Sequence, residues 1–226
     1  MPTPSSGLSC NGVAVGPVLR ANDLAFSRGG RPVFTGIDFS VSAGGVIQVV
    51  GPNGSGKSSL LRVLSGLLQP ASGSVSWLGK CVRAGDPAYL QSLAYVGHAD
   101  GIDTDLTADE HLRYAARLTG LHATNETVRV ALARLGIAKT MHVPVRTLSQ
   151  GQRRRVALAR LALVRRALWL LDEPLTSLDD ESAACFHDLL DEHLRDGGMA
   201  VIATHRLLPG GGEVLQLGGA HALPPA

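Results

Sequence analysis

Gly51-Pro52-Asn53-Gly54-Ser55-Gly56-Lys57-Ser58 follows the pattern G-x-x-x-x-G-K-[ST], a loop built to hold phosphate. The residues before it, Val46-Ile47-Gln48-Val49-Val50, form an apolar run of strand length. Those after it, Ser59-Leu60-Leu61-Arg62-Val63-Leu64, read as a helix. Glycines let successive backbone N–H groups turn inward around a phosphate without Cβ clashes. A helix start adds partial positive charge at the same place. Lys57 is placed to reach β- and γ-phosphate oxygens, and the Ser58 hydroxyl to ligate Mg²⁺. Two unit charges about 4 Å apart at an effective dielectric of about 20 attract by about 4 kcal/mol, so loss of Lys57 is expected to be severe. The bland alternative, a glycine turn with no ligand, fits neither flank.

Composition narrows what surrounds this loop. The 226 residues suffice for one generous domain with a real core. With 45% hydrophobic and 18% charged residues, the chain is ordinary globular material. A net charge of +2 argues against a polybasic nucleic-acid binder, and 4% aromatic residues leave little for base stacking. No run reaches the roughly 18 apolar residues of a bilayer-spanning helix. Met1-Pro2-Thr3-Pro4-Ser5-Ser6-Gly7 lacks the basic start and apolar core of a signal peptide. A cytosolic protein, held at a membrane only by a partner, is the expectation. Cys10, Cys81 and Cys185 have no metal or redox spacing and read as reduced, structural thiols.

Residues 1–18, rich in Pro, Ser and Gly, are expected to be a disordered arm. Strands are expected over Leu19–Phe26 and Val33–Val41, with a turn at Gly29-Gly30 between them. Gly66 and Pro70 stop the helix after the phosphate loop. Short strands follow in 73–79 and Leu93–Val96, the latter running into the polar loop Gly97–Gly101. From Thr107 the period becomes helical. Thr107-Ala108-Asp109-Glu110 has the form of a capping box, and helices are expected at about 108–119 and 125–135. This helix-rich block reads as an insertion, because strand chemistry returns at Ala167–Leu171 and again at Met199–Ala203. A helix over Ser182–Arg195 lies between them, and one more short strand is possible at Glu213–Leu217.

Further candidates stand near strand and helix ends. Leu168–Leu171 runs straight into Asp172-Glu173, and carboxylates at the end of a buried strand are costly without a metal or partner. Beside a phosphate loop they have work to do. Asp172 can hold Mg²⁺ through water, and Glu173 can act as general base toward water. A helix cap or a surface acid pair is the plainer alternative. Leu148-Ser149-Gln150-Gly151-Gln152 opens a helix expected over Arg153–Leu163; Ser149 is a good N-cap, and Gly151 lets a phosphate approach the backbone. Arg153-Arg154-Arg155 is read as a solvated face rather than a nucleic-acid patch, because the same helix carries Val156, Leu158 and Leu161. His205 follows a strand, where a ligand at the sheet's C-terminal edge can be met. His187 and His193 are six apart on one helix, which is no metal pair.

Taken in order, these segments resemble the ABC-type ATPases, over about residues 19 to 207. Gly51–Ser58 is similar to that family's Walker A motif, and Leu168–Glu173 to its Walker B with the catalytic glutamate. Leu148–Gln152 resembles the LSGGQ signature, with Gln150 in place of a glycine. Ser177-Leu178-Asp179 resembles the D-loop and His205 the H-loop, and His98 stands where the Q-loop glutamine would be. Arg28 falls near the usual adenine-stacking aromatic, with Phe26 two residues earlier.

Within that family, Gly97–Ile102, Leu106–Glu110, Val143–Ser149 and Gly197–Val201 are similar to the ATP-binding subunits of cytochrome c biogenesis haem exporters. The resemblance implies an α/β P-loop NTPase fold: a cassette with a mixed or parallel core sheet, an N-terminal antiparallel β part and an inserted helical subdomain at about 99–165. The ATPase domain would span 19–208 and a short tail 209–226. It implies ATP and Mg²⁺ as ligands, bound by Gly51 to Ser59 and Arg28, with Lys57, Glu173 and His205 catalytic and Ser58 and Asp172 on the metal. It implies a homodimer in the ATP-bound state, each signature serving the other copy. It also implies integral membrane partners, met by the loop His98–Leu106 and the helical insert, on the cytoplasmic side of the membrane. Other ABC transporters with other cargo remain an alternative. A soluble ABC ATPase acting on DNA or ribosomes would need a long coiled-coil insertion, a second cassette or basic arms, and the sequence carries none.

Overall fold

The computed structural model describes residues 18–218. The expected disordered arm falls outside them but for Val18, which instead opens the first strand. The end of the tail, 219–226, also lies outside the described residues.

Strands β1 (Val18–Arg28) and β2 (Arg31–Ser42) form an antiparallel hairpin across Gly29-Gly30. Both glycines hold positive φ, 57° and 76°, which the tight turn demands and side chains resist. The strand β3 (Val46–Val50) leads into the phosphate loop, and α1 (Lys57–Leu64) leaves it. β4 (Ser72–Trp77) and the two-residue β5 (Lys80–Cys81) complete an antiparallel sheet in the order β2-β1-β4-β5. The short helix α2 (Pro87–Ser92) was not expected from periodicity. Its signal is local: Asp86 caps it, accepting from the Ala88 and Tyr89 amides, and Pro87 occupies the first helical position.

After β6 (Leu93–Val96) come α3 (Ala108–Leu118) and α4 (Asn125–Arg134). The Thr107–Glu110 capping box forms as expected, and Thr124 caps α4. Two 3-10 turns, at Ala138–Thr140 and Val145–Thr147, lead to α5 (Gln150–Leu163). That helix begins three residues earlier than Arg153, because Ser149 is its N-cap and Gln152 closes a capping box. Next come β7 (Leu168–Asp172), α6 (Asp180–Arg195), β8 (Met199–Thr204) and β9 (Glu213–Gln216).

The second sheet has the order β6-β7-β8-β3-β9, and all its pairings are parallel. The antiparallel strands are therefore kept to the other sheet. Both faces of the parallel sheet are covered, which is why its central strands are apolar throughout. Leu168 and Leu170 of β7 face one core, with α1 and the antiparallel sheet; Trp169 and Leu171 face the other, with α3 to α6. All five residues of β7 are buried. Truncating Leu170 to Ala would cost about 2–5 kcal/mol.

Parallel register brings the strand ends together. Val50 pairs with Thr204, Asp172 with Ala203 and Val96 with Leu171. The loops that begin at Gly51, Glu173, His205 and Gly97 therefore leave one edge of the sheet, where ligands of such sheets bind.

Candidate nucleotide-binding site

The phosphate loop is shaped by backbone that only glycine tolerates well. Gly54 and Gly56 hold φ of 83° and 98°. A Cβ on Gly56 would stand 2.6 Å from Val33 Cγ1, so the loop also needs glycine to pack on the β1–β2 hairpin. Gly56 is the N-cap of α1, with no side-chain cap and no acid in the first turn. The first N–H groups of α1 are thus left for an anion. Lys57 is buried and folds back over the loop, donating to the carbonyls of Gly51 at 2.7 Å and Pro52 at 3.1 Å. Ser58 and Ser59 follow on the helix, half-buried.

Across the sheet edge, Asp172 is 1% exposed, and its Oδ2 finds no hydrogen-bond partner among the described residues. A buried carboxylate oxygen left this way is expensive, and a bound cation would relieve it. Ser58 and Asp172 are therefore a chemically sensible donor set for Mg²⁺. The Glu173 backbone takes φ of 51°, rare for a non-glycine residue, and its amide donates to Ala203 O at 2.9 Å. His205 Nδ1 stands 2.8 Å from Glu173 Oε2, so the two are a hydrogen-bonded pair.

A cavity of about 660 Å³ joins these groups. Asn53, Gly54, Gly56 and Lys57 to Ser59 form one wall; His98, Asp172, Glu173 and His205 form another. Arg28 and Val33, from the hairpin, border the outer end. Phe26 is buried against Phe34, with ring centroids 5.9 Å apart, and is absent from this lining. Of the two, Arg28 is the residue at the cavity.

Two candidate segments do not join this cavity, Leu148–Gln152 and Ser177-Leu178-Asp179. Ser149 and Gln150 are exposed. The start of α5 instead abuts the segment Ser177-Leu178-Asp179 of the same chain: a Cβ on Gly151 would lie 2.5 Å from Ser177 O. Ser177 has φ of 66°, and Asp179 caps α6 through the Ser182 amide at 2.9 Å. That hydrogen bonding to Ser182 holds the Asp179 carboxyl below the usual range.

The expectation of a solvated face for Arg153-Arg154-Arg155 is wrong. Arg153 and Arg155 are half-buried and Arg154 is 3% exposed, within reach of Asp100 and of the carbonyls after β7. The signal was in the sequence: Arg154 stands at i, i+3, i+4 and i+7 from Ala157, Leu158 and Leu161, all buried. Three consecutive charges masked the period.

The sequence profile of the ABC transporter family matches residues 34–176, well over half of the chain. This chain belongs to the ABC transporter family. The ABC cassette is 99% identical over 226 residues, the whole of both chains, to the cytochrome c biogenesis ATP-binding export protein CcmA of Cupriavidus pinatubonensis. To the protein of that description from Cupriavidus necator it is 60% identical over 210 residues, 92% of each chain. Among solved structures, an ABC transporter ATP-binding protein from Pyrococcus furiosus superimposes with a TM-score of 0.79 at 25% identity, covering 88% of this chain and 97% of that one. As an ABC ATPase, the cassette binds and hydrolyses ATP.

Proposed function

We propose that this chain is the ATP-hydrolysing subunit of the ABC exporter of cytochrome c biogenesis, with haem as the cargo of the complex. The observation that carries the chemistry is the meeting, in one cavity, of the phosphate loop, the orphaned Asp172 carboxylate and the Glu173–His205 pair. The near-identity to a protein of that export system carries the assignment to a pathway. Lys57 and the loop N–H groups hold the β- and γ-phosphates, and Arg28 stacks on the base. Ser58 and Asp172 hold Mg²⁺, which supplies charge neutralisation at the phosphate oxygens. Glu173 takes the proton of the attacking water, oriented by His205, and His98 borders the same space.

The isolated chain lacks one part. A helix N-terminus suited to the γ-phosphate, at Ser149 and Gly151, lies outside the lining of the chain's own cavity. A second copy, docked head to tail, would present it. The functional unit in this reading is a homodimer with ATP at its seam. A groove of about 720 Å³ between α2, β6, α3 and α5 carries the exposed side chains of Leu90 and Leu118 beside Arg160 and Arg166. It suits a short, apolar, acid-tipped helix of a membrane subunit, which holds the cassette at the cytoplasmic face. No helix among the described residues is long and apolar enough to cross a membrane.

The test is Glu173→Gln. It should keep ATP affinity, slow hydrolysis by about 10²-fold or more, and accumulate as a dimer with ATP and Mg²⁺ on a sizing column. Hydrolysis at the parent rate would remove Glu173 from its role. A variant that stays monomeric at saturating ATP would remove the dimer. Gentle purification from membranes should bring haem-handling membrane subunits with it; a sugar or lipid permease would overturn the pathway.

A further inference from the structure

We propose that Arg154 is the positioning residue for Glu173, and that it ties the general base to the loop at Gly97–Asp100. The proposal rests on the reading of Glu173 given above. A guanidinium has five N–H donors in a fixed planar fork, and here every one has a partner. Nε donates to Pro174 O at 3.2 Å. Nη2 donates to Asp172 O at 2.6 Å and to Glu173 O at 2.9 Å. Nη1 donates to Gly97 O at 2.8 Å and to Asp100 Oδ1 at 3.0 Å.

Three consecutive carbonyls, those of Asp172, Glu173 and Pro174, therefore turn toward one cation. An extended strand points successive carbonyls to opposite sides, so this convergence needs a break in the backbone. The break is Glu173 at φ 51°. The unusual backbone of the general base and the buried guanidinium are two halves of one arrangement. The φ gathers the carbonyls, and the fork holds them gathered. The Glu173 side chain is then directed to His205 from a backbone fixed on both sides, by Arg154 at its carbonyl and by Ala203 at its amide.

Nη1 extends the same grip to another loop. Gly97 and Asp100 flank His98, which lines the nucleotide cavity, and Asp100 lies in the loop His98–Leu106 expected to face a membrane partner. Displacing that segment strains the bonds that set Glu173. No other side-chain type fits the position. Lysine offers three donors from a single point, and glutamine offers two, so neither can reach three carbonyls and the far loop together.

The experiment compares the parent, Arg154→Gln and Arg154→Lys as full-length chains with co-purified membrane subunits. Both variants should lose about 10- to 100-fold in kcat, the usual range for groups that orient reacting ligands, while ATP affinity stays within about twofold. Combined with Glu173→Gln, Arg154→Gln should add almost nothing, because its effect passes through the residue already removed. Without nucleotide, hydrogen exchange at the Glu173 and Thr176 amides should rise at least about tenfold in Arg154→Gln. Asp100→Asn, which leaves the three carbonyl bonds in place, should show the same split between kcat and affinity at smaller size, and answers for Arg154 if its variants do not fold. Parent kcat in Arg154→Gln, equal losses in affinity and kcat, or losses that multiply with Glu173→Gln would overturn the proposal. An inactive parent with the exchange change intact would sink the functional reading and leave the tie to Glu173 standing; unchanged exchange would sink the tie itself.

Discussion

Lowering the pH should destabilise the cassette through His111, a residue remote from the proposed chemistry. His111 lies on the buried face of α3, 4% exposed, and neither ring nitrogen finds a hydrogen-bond partner among the described residues. Burial pushes its pKa down to about 4; the Arg160 guanidinium adds to this and Asp103 opposes it. In the unfolded chain the value is about 6.5. Between these two values the unfolded state binds more protons, so stability is full above about pH 6.5 and falls as pH drops toward 4. At pH 5 the loss works out at about 2 kcal/mol, and at pH 7.5 it is near zero. His111→Leu removes the titration without leaving a partner unpaired, and should lie within about 1.5 kcal/mol of the parent at pH 7.5. Urea unfolding of both proteins at pH 7.5 and 5.0, at constant ionic strength, isolates the effect because every other group cancels. With a slope near 2 kcal/mol/M, the parent's midpoint should drop by about 1 M more than the variant's. Parallel pH dependence in the two would refute the assignment of His111 as a ring kept neutral by burial.

The phosphate loop and its neighbours give further expectations. Lys57→Met should weaken ATP binding by roughly 10²- to 10³-fold in calorimetry, the scale of a 4 kcal/mol ion pair, while unfolding stability changes little. Asp172→Asn should shift the Mg²⁺ dependence of hydrolysis upward by about tenfold, yet raise the melting point of the metal-free protein, since it removes a buried charge oxygen with no partner. Gly151→Ala puts a Cβ 2.5 Å from Ser177 O, a backbone atom that cannot swing aside. It should destabilise by about 1–3 kcal/mol and depress the hydrolysis rate more than ATP affinity.

What could be read from the sequence divides along a physical line. Strand ends, caps and glycine turns are set by short-range chemistry, so the strand–loop–helix unit at 46–64, the Thr107 and Ser149 caps and the strand before Asp172 were all legible. The convergence of Gly51, His98, Asp172, Glu173 and His205 also followed from parallel strands ending in register, once the strands were recognised. Long side chains were not legible in this way. Arg154 reaches from one helix to two loops, and nothing in a run of three arginines tells which is buried except its phase with Ala157, Leu158 and Leu161. The separation of Ser149 from the phosphate loop was equally beyond local chemistry; it is a fact of packing, and only the resemblance to known cassettes anticipated it.

That separation gives α5 two roles at its first two turns. Its N-terminus, at Ser149 and Gly151, is the part a second copy would use, whereas Arg154 holds the chain's own Asp172–Pro174 carbonyls. The five-residue step from Ser149 to Arg154 rises about 7.5 Å along the helix. A capping box at one end and five hydrogen bonds at the other leave this short span little freedom to deform. In the proposed dimer, contact of Ser149 with the neighbour's nucleotide would bear directly on the backbone beneath the chain's own general base. Each site would then sense whether the other is filled through a single rigid turn and a half of helix, with no need for movement in the sheet. Such a link would work only while Arg154 keeps its grip, so in the proposed dimer the coupling between sites and the placement of Glu173 would stand or fall on the same side chain.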